Sequence, residues 1–347
     1  MKKNLRNILA LALGLMTTVS FAQDWNVDSR TRVDMSEASG ADYQSTDQRA
    51  TLGATWGGSD WGIHVSTQVN YTVNGDAAAD LSVYEAYAST NLFGFANMTL
   101  GRQALEYGSG VFVGKNDWGN RNTADGATFA IDNDFVGLDL GLAQRDNGDG
   151  SDALDNMWLN ASKSSGDWSA NLFYATSSAN GGDETNQMGL DFSYSAMGGA
   201  LDLNVSYNTE TSTVDEGDMM DVSGTYSVND DMSLTAGRTS VGENGFNPGL
   251  GGNMSGDWTS HGNLGLLDAN QENMYVGGTY NMGAFSLGAT MHTVTNTEDD
   301  TYERKATEVT VGYSLGDNAS VSYKMVTDDN GSGEDTNYNW LTLTITP

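Results

Sequence analysis

Apolar and polar residues alternate one for one through most of this chain. Over 61–71 one face carries Trp61, Ile63, Val65, Thr67, Val69 and Tyr71, and the other carries Gly62, His64, Ser66, Gln68 and Asn70. From Phe135 to Arg145, Val136, Leu138, Leu140 and Leu142 alternate with a face that includes Asp139, Gly141 and Arg145. Leu201, Leu203, Val205 and Tyr207 interleave with Asp202, Asn204 and Ser206. A period of two is the mark of a strand with one apolar and one polar face. About ten residues is also what a tilted strand needs to cross a bilayer.

The pattern predicts strands over 24–34, 49–57, 61–71, 81–91, 96–103, 124–132, 135–145, 153–162, 167–176, 187–195, 199–209, 219–227, 231–239, 272–281, 283–293, 305–314, 318–326 and 336–346. Their connections alternate in length. Short ones, such as Gly57-Gly58-Ser59-Asp60, Met197-Gly198 and Asn281-Met282-Gly283, take turns with long polar ones at 35–48, 104–123, 177–186, 240–271 and 294–304. Short periplasmic turns and long outer loops are how a bacterial membrane barrel is built, and an even strand number puts both chain ends on the periplasmic side. Tyr194, Tyr226, Tyr280 and Tyr313 stand just before short turns, and Trp56, Trp61, Trp168 and Phe285 flank such turns. Tyr71, Tyr174 and Tyr207 lie at the opposite strand ends, so the aromatics fall into two interfacial girdles.

The fold expected is therefore all-β: a transmembrane, antiparallel, up-and-down β-barrel of about 18 strands, with 16 as the alternative count. Its N-terminus carries an address. Lys2, Lys3 and Arg6 precede an apolar run from Ile8 to Met16, and Ser20-Phe21-Ala22 reads as a cleavage site before Gln23. Residues 1–22 are expected to be a secretory signal peptide and 23–347 the barrel domain, placed among the lipids of the bacterial outer membrane. The run at Ile8–Met16 is too short to span a bilayer, and no other stretch approaches the ~18 apolar residues of a membrane helix.

Composition sharpens this. There are two prolines against 43 glycines, as suits many unbroken ladders. The absence of cysteine excludes disulfides, thiolate catalysis and thiolate metal sites. Without the first 22 residues the chain carries 12 Lys+Arg against 46 Asp+Glu, a formal charge of 12 − 46 = −34. Such a surface attracts cations and argues against nucleic acid as a partner. The sequence says nothing of oligomeric state.

Candidate chemistry is sparse. His64, His261 and His292 are far apart, two on polar strand faces and one in a loop. Neither a Ser/His/Asp order nor a G-x-S-x-G elbow stands out, so no enzyme is expected. No cofactor is expected either; the one alternative is calcium at acidic loops, at Asp328, Asp329, Asn330, Ser332, Glu334 and Asp335, or at Asp146, Asp149, Asp152 and Asp155. Neither spacing completes an EF-hand.

The stretch from Leu100 to Phe129 reads LGRQALEYGSGVFVGKNDWGNRNTADGATF. In Gly101-Arg102-Gln103, Tyr107-Gly108, Gly114, Trp118 and Asp125-Gly126 it resembles the alginate-export family of outer-membrane porins. That resemblance implies an eighteen-stranded barrel acting as a channel. The polyuronate it would imply as substrate calls for a strongly basic conduit, and this chain is acidic. The last strand also ends in Ile345-Thr346-Pro347 rather than in an aromatic residue.

The polar strand faces should line the pore. They carry Arg30, Arg32, Arg49, Asp139, Arg145, Asp191, Asp202, Asp221, Glu308 and Lys324. Both signs inside one lumen give a transverse field that orients polar solutes; the alternative is that the charges pair and fill the barrel. Arg102 and Arg238 each follow a glycine and precede a long loop. Simple alternation sets both on the lipid face, where they would snorkel to the interface. A bulge at Gly101 and Gly237 would instead turn them into the pore mouth, tethering an infolded loop through Glu106, Asp117, Asp125 or Asp257; on that reading both join the pore-lining set. The function expected is passive diffusion of small hydrophilic solutes. The alternatives are a substrate-selective saccharide or polyuronate channel, and a barrel serving as adhesin or structural protein.

Overall fold

A computed structural model describes residues 22–36, 44–73, 75, 78–116, 118–131, 133, 135–146, 153–179, 184–212, 216–248, 267–329 and 335–346. The segment 1–21, which holds most of the expected signal peptide, lies outside them. So do His261, Asp257 and Asp117, most of the two acidic loops, and the side chain of Arg145.

The strands are β1 (Ala22–Asp34), β2 (Ser45–Gly57), β3 (Trp61–Thr72), β4 (Asp80–Leu92), β5 (Ala96–Leu105), β6 (Asn122–Ile131), β7 (Gly137–Asp146), β8 (Ala153–Ser165) and β9 (Trp168–Ala179). They continue with β10 (Glu184–Ala196), β11 (Leu201–Thr211), β12 (Glu216–Asn229), β13 (Met232–Val241), β14 (Gln271–Met282), β15 (Phe285–Asn296), β16 (Glu303–Gly316), β17 (Ala319–Asp329) and β18 (Asp335–Ile345). Each pairs antiparallel with its sequence neighbours, and β1 pairs with β18, so eighteen strands close into one barrel. Closure leaves the ladder groups partnered within the wall, which a lipid environment demands.

The parity read from the sequence holds around the ring. Trp25, Leu52, Trp61, Ile63, Val65, Leu140, Leu190, Leu203, Leu234, Val276 and Leu287 all face outward and exposed. The girdle residues Tyr194, Tyr226, Tyr280, Tyr313, Tyr71, Tyr174 and Tyr207 are on this outer face too. The barrel thus inverts a soluble protein, with its apolar side chains outside and Ser, Asn, Gln, Thr and charged residues within. Among the described residues two register shifts, at Ser227/Asn229 and Ser314/Gly316, fall beside short turns, and one bulge lies within the wall. Across β3 and β4, Ser66 pairs with Glu85 and Thr67 with Val83, so Tyr84 is the extra residue and both Tyr84 and Glu85 turn inward.

Toward the loop ends of the strands the interior is filled. Trp158, Phe173, Ala175, Met219, Val241, Val294 and Ala306 stand on the polar parity, yet all are buried, in one cluster with loop residues Val111, Phe112, Val113, Phe246 and Leu267. The hydrophobic core of this barrel lies inside its mouth.

Candidate functional site: a loop across a charged lumen

The connection 106–121 does not stand out from the rim. It folds into the barrel in two lobes with different fastenings. The first lobe is apolar. Val111, Phe112 and Val113 are 1–3% exposed. Phe112 stacks on Phe173 at 5.8 Å and meets Phe246 edge-on at 5.7 Å. Tyr107 stacks on Phe173, and its hydroxyl receives the Trp158 indole N–H at 3.2 Å. Burial pushes that hydroxyl up to about 12, so it stays neutral at physiological pH. At the tip, the Ser109 amide donates to Asp191 Oδ2 at 2.8 Å. Gly108 has φ of +54°, and a Cβ there would come within 2.1 Å of that same oxygen, so only glycine lets the tip approach the wall.

The second lobe is held by polar contacts. Arg49, on β2, donates to the carbonyl of Trp118 and to Asn120 Oδ1 while pairing with Asp28. Gln68 and Asn120 exchange amide hydrogen bonds at 2.9 and 3.2 Å. Arg32 lies over the Trp118 ring at 4.6 Å. The Arg121 amide donates to the Tyr84 hydroxyl at 2.9 Å, and its guanidinium stands 3.6 Å from Glu85. Glu85 is in turn 3.5 Å from His64, which stacks on Tyr87. The loop therefore spans the lumen from β8–β11 to β1–β4.

The wall's cations stand on one side of it, and carboxylates stand on both. Among the described side chains, the inward-facing basic residues of the wall are Arg304 and Lys324 on β16 and β17 and Arg30, Arg32 and Arg49 on β1 and β2, a contiguous arc through β18. Their carboxylate partners are on the same arc: Arg304 with Asp328, Lys324 with Glu308 at 2.8 Å, Arg49 with Asp28. Trp340 and Tyr338 of β18 stack on each other at 5.6 Å within this arc. Across the lumen, Asp139, Asp191, Asp202 and Asp221 stand on β7, β10, β11 and β12. Their hydrogen-bond partners are neutral: Asn160, Ser109 and Ser206, Ser195, and Thr239. Beside them lies a recess of about 680 Å³, lined by Ser109, Ser162, Ser169, Asn171, Asp191, Asn204 and Asp221 among others.

Of the pore-lining set read from the sequence, Arg30, Arg32, Arg49, Asp139, Asp191, Asp202, Glu308 and Lys324 are on the inner face. Arg102 and Arg238 are not. The ladder runs unbroken through Gly101 and Gly237, with Ala86↔Arg102↔Asp125 and Val222↔Arg238↔Met274 in register, so no bulge turns them. Both arginines stay on the outer face with Leu100 and Leu234. Arg102 forms a two-pronged pair with Asp125 at 2.8 and 2.6 Å, and Arg238 pairs with Glu272. Gly237 leaves its inner face bare for the Tyr275 ring, which would lie 2.3 Å from a Cβ there. The tether is thus Arg49 and Asp191 rather than the Gly-Arg steps, and Glu106 pairs within the loop, with Lys115 at 2.9 Å.

His64 and His292 face inward as expected; His292 lies 3.4 Å from Asn273. Asp328, counted among the calcium candidates, belongs to strand β17 and pairs with Arg304 inside the barrel. Among the described residues no three acidic or histidine side chains are grouped to hold a metal ion. The apolar lobe went unread in the sequence, although its signal was present. Trp158 between Asn156 and Asn160, Phe173 beside Asn171, and the triplet Val111-Phe112-Val113 in a polar loop are apolar residues where the lumen pattern calls for polar ones.

No family model and no curated protein matches this sequence. Solved structures do. The chain is similar to Acinetobacter baumannii OccAB4, with a TM-score of 0.73, 11% identity and coverage of 94% of this chain and 99% of that one. It is similar to Pseudomonas aeruginosa OccK8 (OprE), at 0.72 and 13% over 94% and 98%. It is also similar to Pseudomonas aeruginosa OpdK, solved with vanillate, at 0.70 and 11% over 94% and 100%. These neighbours share the barrel fold that the resemblance at Leu100–Phe129 implied, and they do not support its alginate-export part. In fold, the chain is an eighteen-stranded barrel of the kind found in outer-membrane Occ/Opd porins.

Proposed function

We propose that this protein is an outer-membrane channel for passive diffusion of small hydrophilic solutes. The observation that carries the proposal is the one-sided placement of the wall's cations across the lumen. Among the described residues, arginines and a lysine line one arc together with their carboxylate partners, and Asp139, Asp191, Asp202 and Asp221, bonded to neutral groups, line the opposite one, with loop 106–121 narrowing the passage between them. A solute entering this field turns its negative end to the Arg30–Arg32–Arg49 side and its positive or hydroxylated end to the Asp191 side. Selection works by size at the loop and by orientation in the field; no chemical step is involved. The test is conductance in planar bilayers of the purified protein. Discrete open steps are expected, and a protein that inserts without conducting overturns the reading.

A second, narrower reading is a channel selective for acidic saccharides, as the alginate-export resemblance implies. It is favoured by one observation. The twelve basic residues that remain after residue 22 are few, but five of them stand in one arc beside the ring faces of Trp118, Tyr338 and Trp340. Basic groups recognise carboxylates and aromatic faces accommodate sugar rings, so an acidic sugar would meet both. An aromatic carboxylate such as vanillate, found with the structural neighbour OpdK, would use the same arc. Uronate oligomers and vanillate added separately to conducting channels distinguish them. Blockade by uronates alone supports the narrower reading, and blockade by neither leaves general diffusion.

A further inference from the structure

The outer wall carries a feature that diffusion does not use. Arg102 and Arg238 stand six residues above the first residues of their strands, Ala96 and Met232. The same step separates Trp168 from Tyr174 and Leu201 from Tyr207, so both arginines are level with the upper tyrosine girdle. Lipid headgroups lie at that height.

The two differ in what they have left to offer. Arg102 gives Nε and Nη2 to the two oxygens of Asp125 and Nη1 to the Val83 carbonyl at 3.2 Å, so all three of its nitrogens are engaged. Arg238 donates from Nη2 alone to Glu272, and its side chain is 55% exposed. An arginine fork carries five donors in one plane. Beside and below it the wall is built for a chain rather than a headgroup. Met274 is its cross-strand partner, Val276 is the next outward residue of β14, and Met291 pairs with Val276. All three are more than half exposed.

We propose that Arg238 with the Met274–Val276–Met291 patch binds a phosphate-bearing lipid of the surrounding bilayer. The headgroup phosphate accepts from the Arg238 guanidinium, and an acyl chain lies on the methionines. A guanidinium matches phosphate geometry with two parallel donors, and methionine side chains adapt to a flexible hydrocarbon. Arg102, whose three nitrogens are each already engaged, is the internal control. The inference rests on the membrane reading of the outer wall.

The test is native mass spectrometry of the detergent-purified full chain titrated with phosphatidylglycerol, and with phosphate-free monogalactosyl diacylglycerol of the same acyl chains. Wild-type protein is expected to retain phosphatidylglycerol in preference. Arg238→Ala and Arg238→Gln should lose that preference by about tenfold in affinity, as removal of one charge-assisted contact implies, while Arg102→Ala keeps it. The barrel's resistance to unfolding in detergent verifies that each variant is folded. Unchanged preference in both Arg238 variants, or an equal loss in Arg102→Ala, overturns the site. Retention of neither lipid by wild type instead overturns the membrane reading beneath it.

Discussion

Arg49→Ala tests whether loop 106–121 is the constriction. The two lobes are held by unlike forces, and their magnitudes predict which one a substitution frees. The first lobe buries Val111, Phe112 and Val113 almost fully. At about 1.5–3 kcal/mol per buried apolar side chain, three of them hold it whatever happens on β2. The second lobe hangs on hydrogen bonds. Arg49 supplies two of them, to the Trp118 carbonyl and to Asn120, and the guanidinium that makes them is itself buried against Asp28. A hydrogen bond to a charged group contributes about 1.5–3 kcal/mol. At the lower end, as fits a lobe that finds water once released, losing both costs about 3 kcal/mol. That raises the population of the released lobe by about two orders of magnitude. Gln68 and Tyr84 still hold it, so the excursions are brief, within the microsecond-to-millisecond range of loop motion. Single-channel recording should show unchanged step frequency, increased open-channel noise and a larger mean conductance. Gln68→Ala added to Arg49→Ala should enlarge the effect by more than it does alone, because both residues hold Asn120. Wild-type noise and conductance in the double variant would refute the reasoning and remove the second lobe from the passage.

Net charge gives a second expectation: a mild cation preference at low salt, since the acidic mouth concentrates cations over about a Debye length, ~8 Å at physiological ionic strength. It should fade in concentrated salt, and a reversal potential showing anion selectivity at low salt would contradict it. Leu140 faces outward on β7, so Leu140→Arg should lower stability by ~2–4 kcal/mol if it sits near the bilayer midplane; a denaturant midpoint equal to wild type would reverse the parity of that strand. Arg102→Ala should leave conductance and noise unchanged, because its pair with Asp125 is on the outer wall. The stability cost should stay at about 0–1 kcal/mol for so exposed a pair, and any change in single-channel current would return Arg102 to the lumen.

The sequence by itself determined the wall. Alternation fixes which side chain meets lipid and which meets the interior, and the lengths of the connections fix which strand ends carry turns and which carry loops. Eighteen strands, the two tyrosine and tryptophan girdles and the inward placement of Arg30, Arg49 and Asp191 follow from a rule that acts between adjacent residues, so they were legible. The facing of Arg102 and Arg238 hung on whether a glycine bulges, and that depends on the neighbouring strands; only the unbroken registers through Ala86, Asp125, Val222 and Met274 settled it. The interior was hidden for the same reason. Phe112 meets Phe173, and Arg49 meets Trp118, across many residues of intervening chain, and no local period records such contacts. Tertiary structure alone brought the loop inward, gathered the basic residues of β1, β2, β16 and β17 into one arc through closure of the barrel, and set them opposite Asp139, Asp191, Asp202 and Asp221. Strand facing is a property of neighbours along the chain, whereas a lumen exists only once the first strand has paired with the last.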